Sequence, residues 1–177
     1  MITIRQEEEK DYKEVFKLTE EAFRDIEHSD HKEHFLVEKL RKSEAFIPEL
    51  SLVAENGNGI LAGHILFTKL TVENGSETFE SLALAPVSVK PEFQNQGVGG
   101  QLIQEGHRIA RKLGYQSVIL IGHENYYPKF GYKKTSNFGI SFPFEIPEAN
   151  GMAVELVKDG LKNRKGMVKY PREFGID

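Results

Sequence analysis

The sequence predicts an α/β chain of the α+β kind, in which a mixed, mostly antiparallel central sheet is flanked by helices and carries one βαβ unit. Three observations predict it. Three extended segments are separated by Asn-Gly pairs, whose tolerance of positive φ suits hairpin turns. A glycine-rich turn then joins an apolar strand to an amphipathic helix and on to a short second strand, a connection that requires parallel pairing. Two amphipathic segments come before all of these.

Taken in order, Ile2 and Ile4 alternate with polar neighbours, the period of a half-buried strand over Ile2 to Arg5. Asp11 with Glu14 has the spacing of a capping box, and Tyr12, Val15, Phe16, Thr19, Ala22 and Phe23 recur at helical intervals, which predicts a helix over Tyr12 to Phe23. Asp30 with Glu33 repeats that signature before Phe35, Leu36, Val37 and Leu40, so a second helix is expected to run to about Lys42. Ser51 to Glu55, Ile60 to Val72 and Thr78 to Val89 read as an antiparallel meander turning at Asn56–Gly59 and at Asn74-Gly75. Leu82 to Val89 is almost wholly apolar, as a strand covered on both faces should be. Leu102, Gly106, Ile109, Ala110 and Leu113 share a helical face, Gly114 suits a left-handed C-cap, and Ser117 to Ile121 follows as a strand. Tyr132 to Phe144 and Met152 to Val157 read as further strands, and Lys158 to Lys165 as a charged connection.

The 177 residues suggest one domain, residues 1–177, with no repeat or linker. A chain of this length buries about 70% of its unfolded surface and needs no disulfide to hold it. With no cysteine, thiol nucleophiles and thiolate metal sites are excluded. Lys and Arg total 23 against 27 for Asp and Glu, a net charge of −4 with scattered sign, which argues against nucleic acid as a partner. An acidic start at Glu7, Glu8 and Glu9 does not suit a secretory leader, and no apolar run approaches the roughly 20 residues of a membrane helix. A cytoplasmic protein with no membrane partner, monomeric or homodimeric, is expected.

The chemistry concentrates in Val87-Ser88-Val89-Lys90-Pro91-Glu92-Phe93-Gln94-Asn95-Gln96-Gly97-Val98-Gly99-Gly100-Gln101. A strand that ends in a glycine-rich loop opening a helix presents free N–H groups and the positive end of the helix dipole, an anion site. A tight turn with no ligand is the alternative. A Walker loop is excluded because Gln101 and Leu102 follow Gly100 where Lys-Ser or Lys-Thr is needed. A dinucleotide fingerprint matches Gly97 and Gly99 but meets Leu102 at its third glycine, and the antiparallel segments upstream are wrong for it.

The stretch resembles motif A of the GNAT superfamily of acyl-CoA transferases, Gln/Arg-x-x-Gly-x-Gly/Ala, at Gln94, Gly97 and Gly99. Tyr126-Tyr127-Pro128-Lys129-Phe130-Gly131-Tyr132 resembles the family's motif B, aromatic-Tyr-x-Lys-x-Gly-aromatic, at the spacing the family shows. Motif A falls at about residues 82–113 and motif B at about 117–135. The resemblance implies acetyl-CoA as co-substrate, with its pyrophosphate on backbone N–H groups of Gln94, Asn95, Gln96, Gly97, Val98, Gly99 and Gly100. It further implies that the pantetheine arm pairs like an added strand with Val87 to Val89, Ser88 lying between the two valines whose main chain it meets. The acceptor implied is a small-molecule or peptide amine.

Tyr127 takes the family position of the general acid that faces the leaving thiolate. A phenol near pKa 10 is a weaker acid than a thiol near about 8.5, which favours a hydrogen bond to sulfur over full proton transfer. A tyrosine packed among Tyr126, Phe130 and Tyr132 is the structural alternative. The base is unassigned, since Ser81 to Lys90 contains no carboxylate and Glu80 reads as an exposed residue. His28, His31 and His34 read as solvated surface and no metal site is expected; His64 reads as a sheet residue with its hydrogen bonds met, His107 as solvent-facing or packed, and His123 as a loop residue with a role in proton transfer as the alternative. Two other functions fit parts of the pattern: a non-catalytic acyl-CoA-binding or regulatory module on the same fold, and a nicotinamide-dependent oxidoreductase.

Overall fold

A computed structural model describes residues 1–176. The chain forms two compact units, Met1–Phe67 with Ala85–Ile109, and Thr68–Leu84 with the chain from Ala110 onward. The sheet is mixed and mostly antiparallel, with helices on it, as the sequence predicts.

In the first unit, β1 (Ile2–Gln6) pairs antiparallel with β2 (Phe46–Asn56), Ile2 opposite Asn56 and Gln6 opposite Leu52. The order continues through β3 (Leu61–Asn74) to β4 (Glu77–Val89), two strands long enough to enter both units. Gly59 takes φ 77° and Gly75 φ 62°, the positive values for which the two turns select glycine. Helix α1 (Tyr12–Phe23) buries Val15, Leu18 and Thr19, and α2 (Glu33–Arg41) buries His34, Val37 and Leu40. Helix α3 (Val98–Lys112) buries Val98, Leu102, Ile103 and His107 within this unit. Phe67 of β3 packs so closely on α3 that a Cβ on Gly106 would fall 2.5 Å from its Cζ; glycine is required there by contact rather than by φ.

Several local expectations are corrected. The carboxylate of Asp11 does not cap α1; it accepts two hydrogen bonds from Arg5, at 2.8 and 2.9 Å, and one from the backbone N–H of Glu8 at 2.8 Å. Asp30 accepts from the N–H of Lys32, one turn ahead of α2, which ends at Arg41. Phe35, expected on the apolar face of α2, is exposed, whereas His34 is buried edge-on against Phe16, because α2 turns its i, i+3 row of His34, Val37 and Leu40 inward. Strand β2 begins at Phe46, five residues before the expected start. Continuous burial of β4 stops at Leu84; Ala85, Val87 and Val89 are half-buried and alternate with buried Pro86 and Ser88. Leu113, just beyond α3, is exposed.

In the second unit β4 pairs parallel with β5 (Ser117–Ile121), and β5 pairs antiparallel with β8 (Gly151–Glu155). The edge strand β6 (Lys133–Lys134) pairs with β8, while β9 (Gly166–Lys169) joins β3 and β7 (Ile140–Ser141). Leu70, Val72, Ala83, Ile119, Ile140, Ala153, Leu161 and Val168 form its core. Within the extended stretch expected over Tyr132 to Phe144 the strands are only two residues each, either side of a 3-10 turn at Thr135–Phe138, and β9 is an addition to the expected strands.

Candidate active site

In the first unit β4 ends at Val89, and Pro91–Phe93 makes one 3-10 turn before the glycine loop. Asn95 at φ 61° and Gly97 at φ 83° reverse the chain into α3. The first backbone bond of the helix runs from the N–H of Gln101 to the carbonyl of Gly97 at 3.0 Å, so the N–H groups of Val98, Gly99 and Gly100 have no acceptor within the helix. Buried Val98 anchors the loop while Gln94, Asn95, Gln96 and Gly97 are exposed. The side chains of Gln94 and Gln96 are turned back on the loop: Gln94 Nε2 donates to Val89 O at 3.0 Å and Gln96 Nε2 to Glu92 O at 3.1 Å. What this loop presents outward is therefore backbone.

Strand β4 carries a second open set of donors and acceptors. Its pairing with β5 is confined to Leu82 with Val118 and Ala83 with Ile119. The N–H of Lys90 donates to Ala62 O of β3 at 2.8 Å, so by strand alternation Lys90 and Ser88 turn their main-chain groups toward β3, and Val87 and Val89 turn theirs away from it. Of these, Val89 O already accepts from Gln94. Lys90 Nζ ties the end of the strand to Glu14 of α1 at 2.8 Å.

A buried polar cluster of the same unit has no signature in the sequence, because its members come from four separate segments. Arg41 Nη2 pairs with Glu7 Oε2 at 2.6 Å and its guanidinium covers the ring of Tyr12, 4.0 Å from the centroid. Ser51 Oγ lies 2.8 Å from Glu7 Oε1 and 3.0 Å from His64 Nε2. His64 was expected to have its hydrogen bonds met; instead Nδ1 has no partner, and neither has the buried hydroxyl of Ser88. Burial, assisted by the charge of Arg41 and opposed by Glu7 and Asp11, pushes the His64 imidazole down to about 4, so it is neutral at pH 7.

In the second unit Tyr127 opens a 3-10 turn, Tyr127–Phe130, that closes with Gly131 at φ 95°. Its ring is buried, edge-on to Tyr126 at 5.1 Å and to Tyr132 at 5.7 Å. Burial, reinforced by Tyr126, raises its phenol well above the ordinary range, so Tyr127 is a hydrogen-bond donor at any physiological pH. Gly122 is the support that sequence reasoning missed: a Cβ there would fall 2.9 Å from Tyr127 Cδ2. Its N–H donates to Asn150 O at 2.9 Å, and Asn150 Nδ2 returns a bond to Gly122 O at 3.0 Å. The same unit has an open cavity of about 560 Å³ lined by Thr135, Ile140, Phe142, Phe144, Ile146 and Glu148 among others. His123 is exposed, its Nδ1 accepting from the N–H of Asn125, and Glu80 is exposed as expected. Among the described residues no cluster of three or more His, Asp or Glu is arranged to hold a metal ion, and no helix is long and apolar enough to cross a membrane.

The strand edge left open at Val87 and Val89 and the row of N–H groups without helical acceptors at Val98, Gly99 and Gly100 both belong to the first unit. The acetyltransferase (GNAT) domain matches residues 3–135, and the chain belongs to that family. It is 41% identical over 118 residues, 66% of its length and 65% of the relative's, to the uncharacterized N-acetyltransferase YjhQ of Escherichia coli. The match thus takes in slightly under two thirds of that relative. Over 125 residues it is 27% identical to the uncharacterized N-acetyltransferase YhbS of the same organism, covering 71% of this chain and 74% of YhbS. Among solved structures, YhbS in complex with CoA superposes with a TM-score of 0.86 at 25% identity, covering 98% of this chain and 92% of that one. A GNAT family acetyltransferase from Brucella melitensis in complex with acetyl-CoA gives 0.80 at 32% identity, covering 98% of each chain.

Proposed function

We propose that the protein is an acetyl-CoA-dependent N-acetyltransferase that passes the acetyl group directly to an amine in a ternary complex. The observation that carries this reading is the row of bare N–H groups at Val98, Gly99 and Gly100, following an exposed loop whose glutamine side chains are already engaged. Those donors and the helix dipole suit a diphosphate. The unpaired edge at Val87 and Val89 suits the amides of the pantetheine arm, with Val87 the freer of the two because Val89 O is engaged by Gln94. Two structural relatives hold CoA or acetyl-CoA, which supports the same co-substrate here.

In this mechanism the neutral amine attacks the thioester carbonyl, the tetrahedral oxyanion is stabilised by main-chain donors of β4, and the C–S bond breaks. Tyr127 donates a hydrogen bond to the departing sulfur. Its raised phenol pKa makes full proton transfer to a thiolate unfavourable, so its contribution is electrostatic. Absence of cysteine leaves no thiol to form an acyl-enzyme. The acceptor is a small-molecule or peptide amine, and the protein works in the cytoplasm.

Calorimetry tests the binding half: CoA and acetyl-CoA should bind saturably and reduced nicotinamide dinucleotide should not, whereas the reverse outcome selects the oxidoreductase. Thiol release from acetyl-CoA across amino acids, polyamines, aminoglycosides and peptides tests the catalytic half. CoA binding without thiol release from any of them would favour a non-catalytic module.

A further inference from the structure

The open cavity of the second unit takes no part in the steps above, yet its walls are divided by polarity. Of its lining residues, Ile140 is buried and Phe142 and Ile146 are half-buried, while Phe144, Glu145 and Glu148 are exposed. Thr135, a buried polar member, has its hydroxyl on Gly151 O at 3.4 Å. The aromatic wall is braced from behind: the rings of Phe142 and Phe144 lie 6.0 Å apart, Phe144 stacks with Tyr170 at 6.2 Å, and Tyr170 meets Phe174 at 5.0 Å. Phe142, Tyr170 and Phe174 pack in turn on the core of the unit. Phe144 itself is 36% exposed, an apolar ring held beside an open space of about 560 Å³. That volume lies within the roughly 300–1,000 Å³ of small-molecule sites.

The exposed side is acidic and uncompensated. Glu148 Oε1 accepts from Ser136 Oγ at 2.8 Å, which leaves Oε2 without a partner, and among the described residues Glu145 makes no hydrogen bond or ion pair. No lining residue is basic. The cavity and Tyr127 flank the same end of the β5–β8 pair. Ile121 lies opposite Gly151, where a Cβ would fall 2.6 Å from Phe142 Cε2 and 3.0 Å from Ile146 Cδ1. By strand alternation Gly122 faces the other way, against Tyr127. Asn150, bonded twice to Gly122, ends the 3-10 turn that Glu148 begins, so the acidic side is continuous with the support of Tyr127.

We propose that this cavity binds the acceptor, and that the acceptor is an aralkylamine with its aromatic body against Phe142, Phe144 and Ile146 and its ammonium at Glu145 and Glu148. The assignment deepens the acetyl-transfer reading and rests on it. Two unpaired carboxylates select a cation, and the aromatic wall adds ring and cation–π contacts that a polyamine cannot use in full. The same carboxylates repel an amine that carries a carboxylate of its own. The cavity is open to water, which takes the proton the ammonium loses before it attacks.

Methyl NMR of the full-length chain, carbon-13 labelled at isoleucine, tests the site with and without CoA. The ring of 2-phenylethylamine should shift the signals of Ile140 and Ile146 and leave that of Ile103 in α3 unmoved. Phenylalanine and 2-phenylethanol, one with an added carboxylate and one without charge, should each bind at least about tenfold more weakly. In thiol release at saturating acetyl-CoA, kcat/KM for 2-phenylethylamine should exceed that for spermidine by about tenfold or more. The double variant Glu145→Gln, Glu148→Gln keeps an oxygen for Ser136 and should raise KM for 2-phenylethylamine about tenfold, and Phe144→Ala about fivefold, with KM for acetyl-CoA unchanged. Shifts confined to other methyls, or none, overturn the site, and thiol release from another amine then leaves acetyl transfer standing. An unchanged KM for 2-phenylethylamine in both variants overturns it as well. Shifts at Ile140 and Ile146 with no thiol release from any amine remove acetyl transfer and the acceptor assignment together.

Discussion

Single residues carry the sharpest tests. Tyr127→Phe removes one hydroxyl and leaves the edge-on contacts with Tyr126 and Tyr132 in place, so CoA affinity and stability should hold while turnover falls by about 10–10²-fold. Single-turnover measurement with an accepted amine checks this, and an unchanged chemical step removes Tyr127 from the mechanism. His64 supplies a pH test that needs no substrate. Its imidazole, at about 4 in the fold against 6.5 ordinarily, binds a proton more readily in the unfolded chain. The neutral ring's stabilisation is therefore complete above about pH 6.5 and is lost as pH falls toward 4. Between pH 7 and pH 4.5 this amounts to about 2–3 kcal/mol. Urea unfolding should show that acid-side loss in the parent and a correspondingly smaller one in His64→Gln; equal losses would assign it to other groups. None of this was legible in the sequence. Glu7, Arg41, Ser51 and His64 are scattered over 58 positions, and only the pairing of β1, β2 and β3 with α2 brings them together. Tyr127, embedded in a local motif, could be read directly.

Secondary elements were legible where local pattern and tertiary demand agree. Helix α1 and strand β5 fall on the expected residues, because an amphipathic period and a β-branched run each decide the matter alone. Strands β6 and β7, two residues each, exist through pairing with β8 and β9, and no local period marks a segment so short. Exposure of Phe35 and burial of His34 reflect the same priority, since the inward row of α2 is His34, Val37 and Leu40 while both rings still touch Phe16. Two glycines of α3 give tests at this scale. Gly106→Ala sets a methyl against Phe67 and should destabilise by about 1–3 kcal/mol, read by denaturant unfolding, without altering the loop ahead of α3. Gly99→Asp should do the opposite, leaving the fold intact and abolishing CoA binding through bulk and negative charge; normal CoA affinity in a folded variant would reduce the loop to a turn.

For the molecule as a whole, CoA at 100 times its dissociation constant should add about 2.7 kcal/mol of stability, a rise in melting temperature of about 5–10 °C for a chain of this size. Intact mass spectrometry after incubation with acetyl-CoA alone should find the unmodified chain, and a stoichiometric acetyl adduct would count against direct transfer. The start of α3 has a consequence of another kind. Its first three amides, Val98, Gly99 and Gly100, stand outside the helical ladder that begins at Gln101, while the body of the helix is buried along Leu102, Ile103 and Ala110. In deuterated solvent the free protein should therefore exchange those three amides rapidly and the following turns slowly. A ligand that gives the three an acceptor would erase that boundary, so an isotope-exchange map across this one helix records occupancy of the loop even where no product can yet be detected.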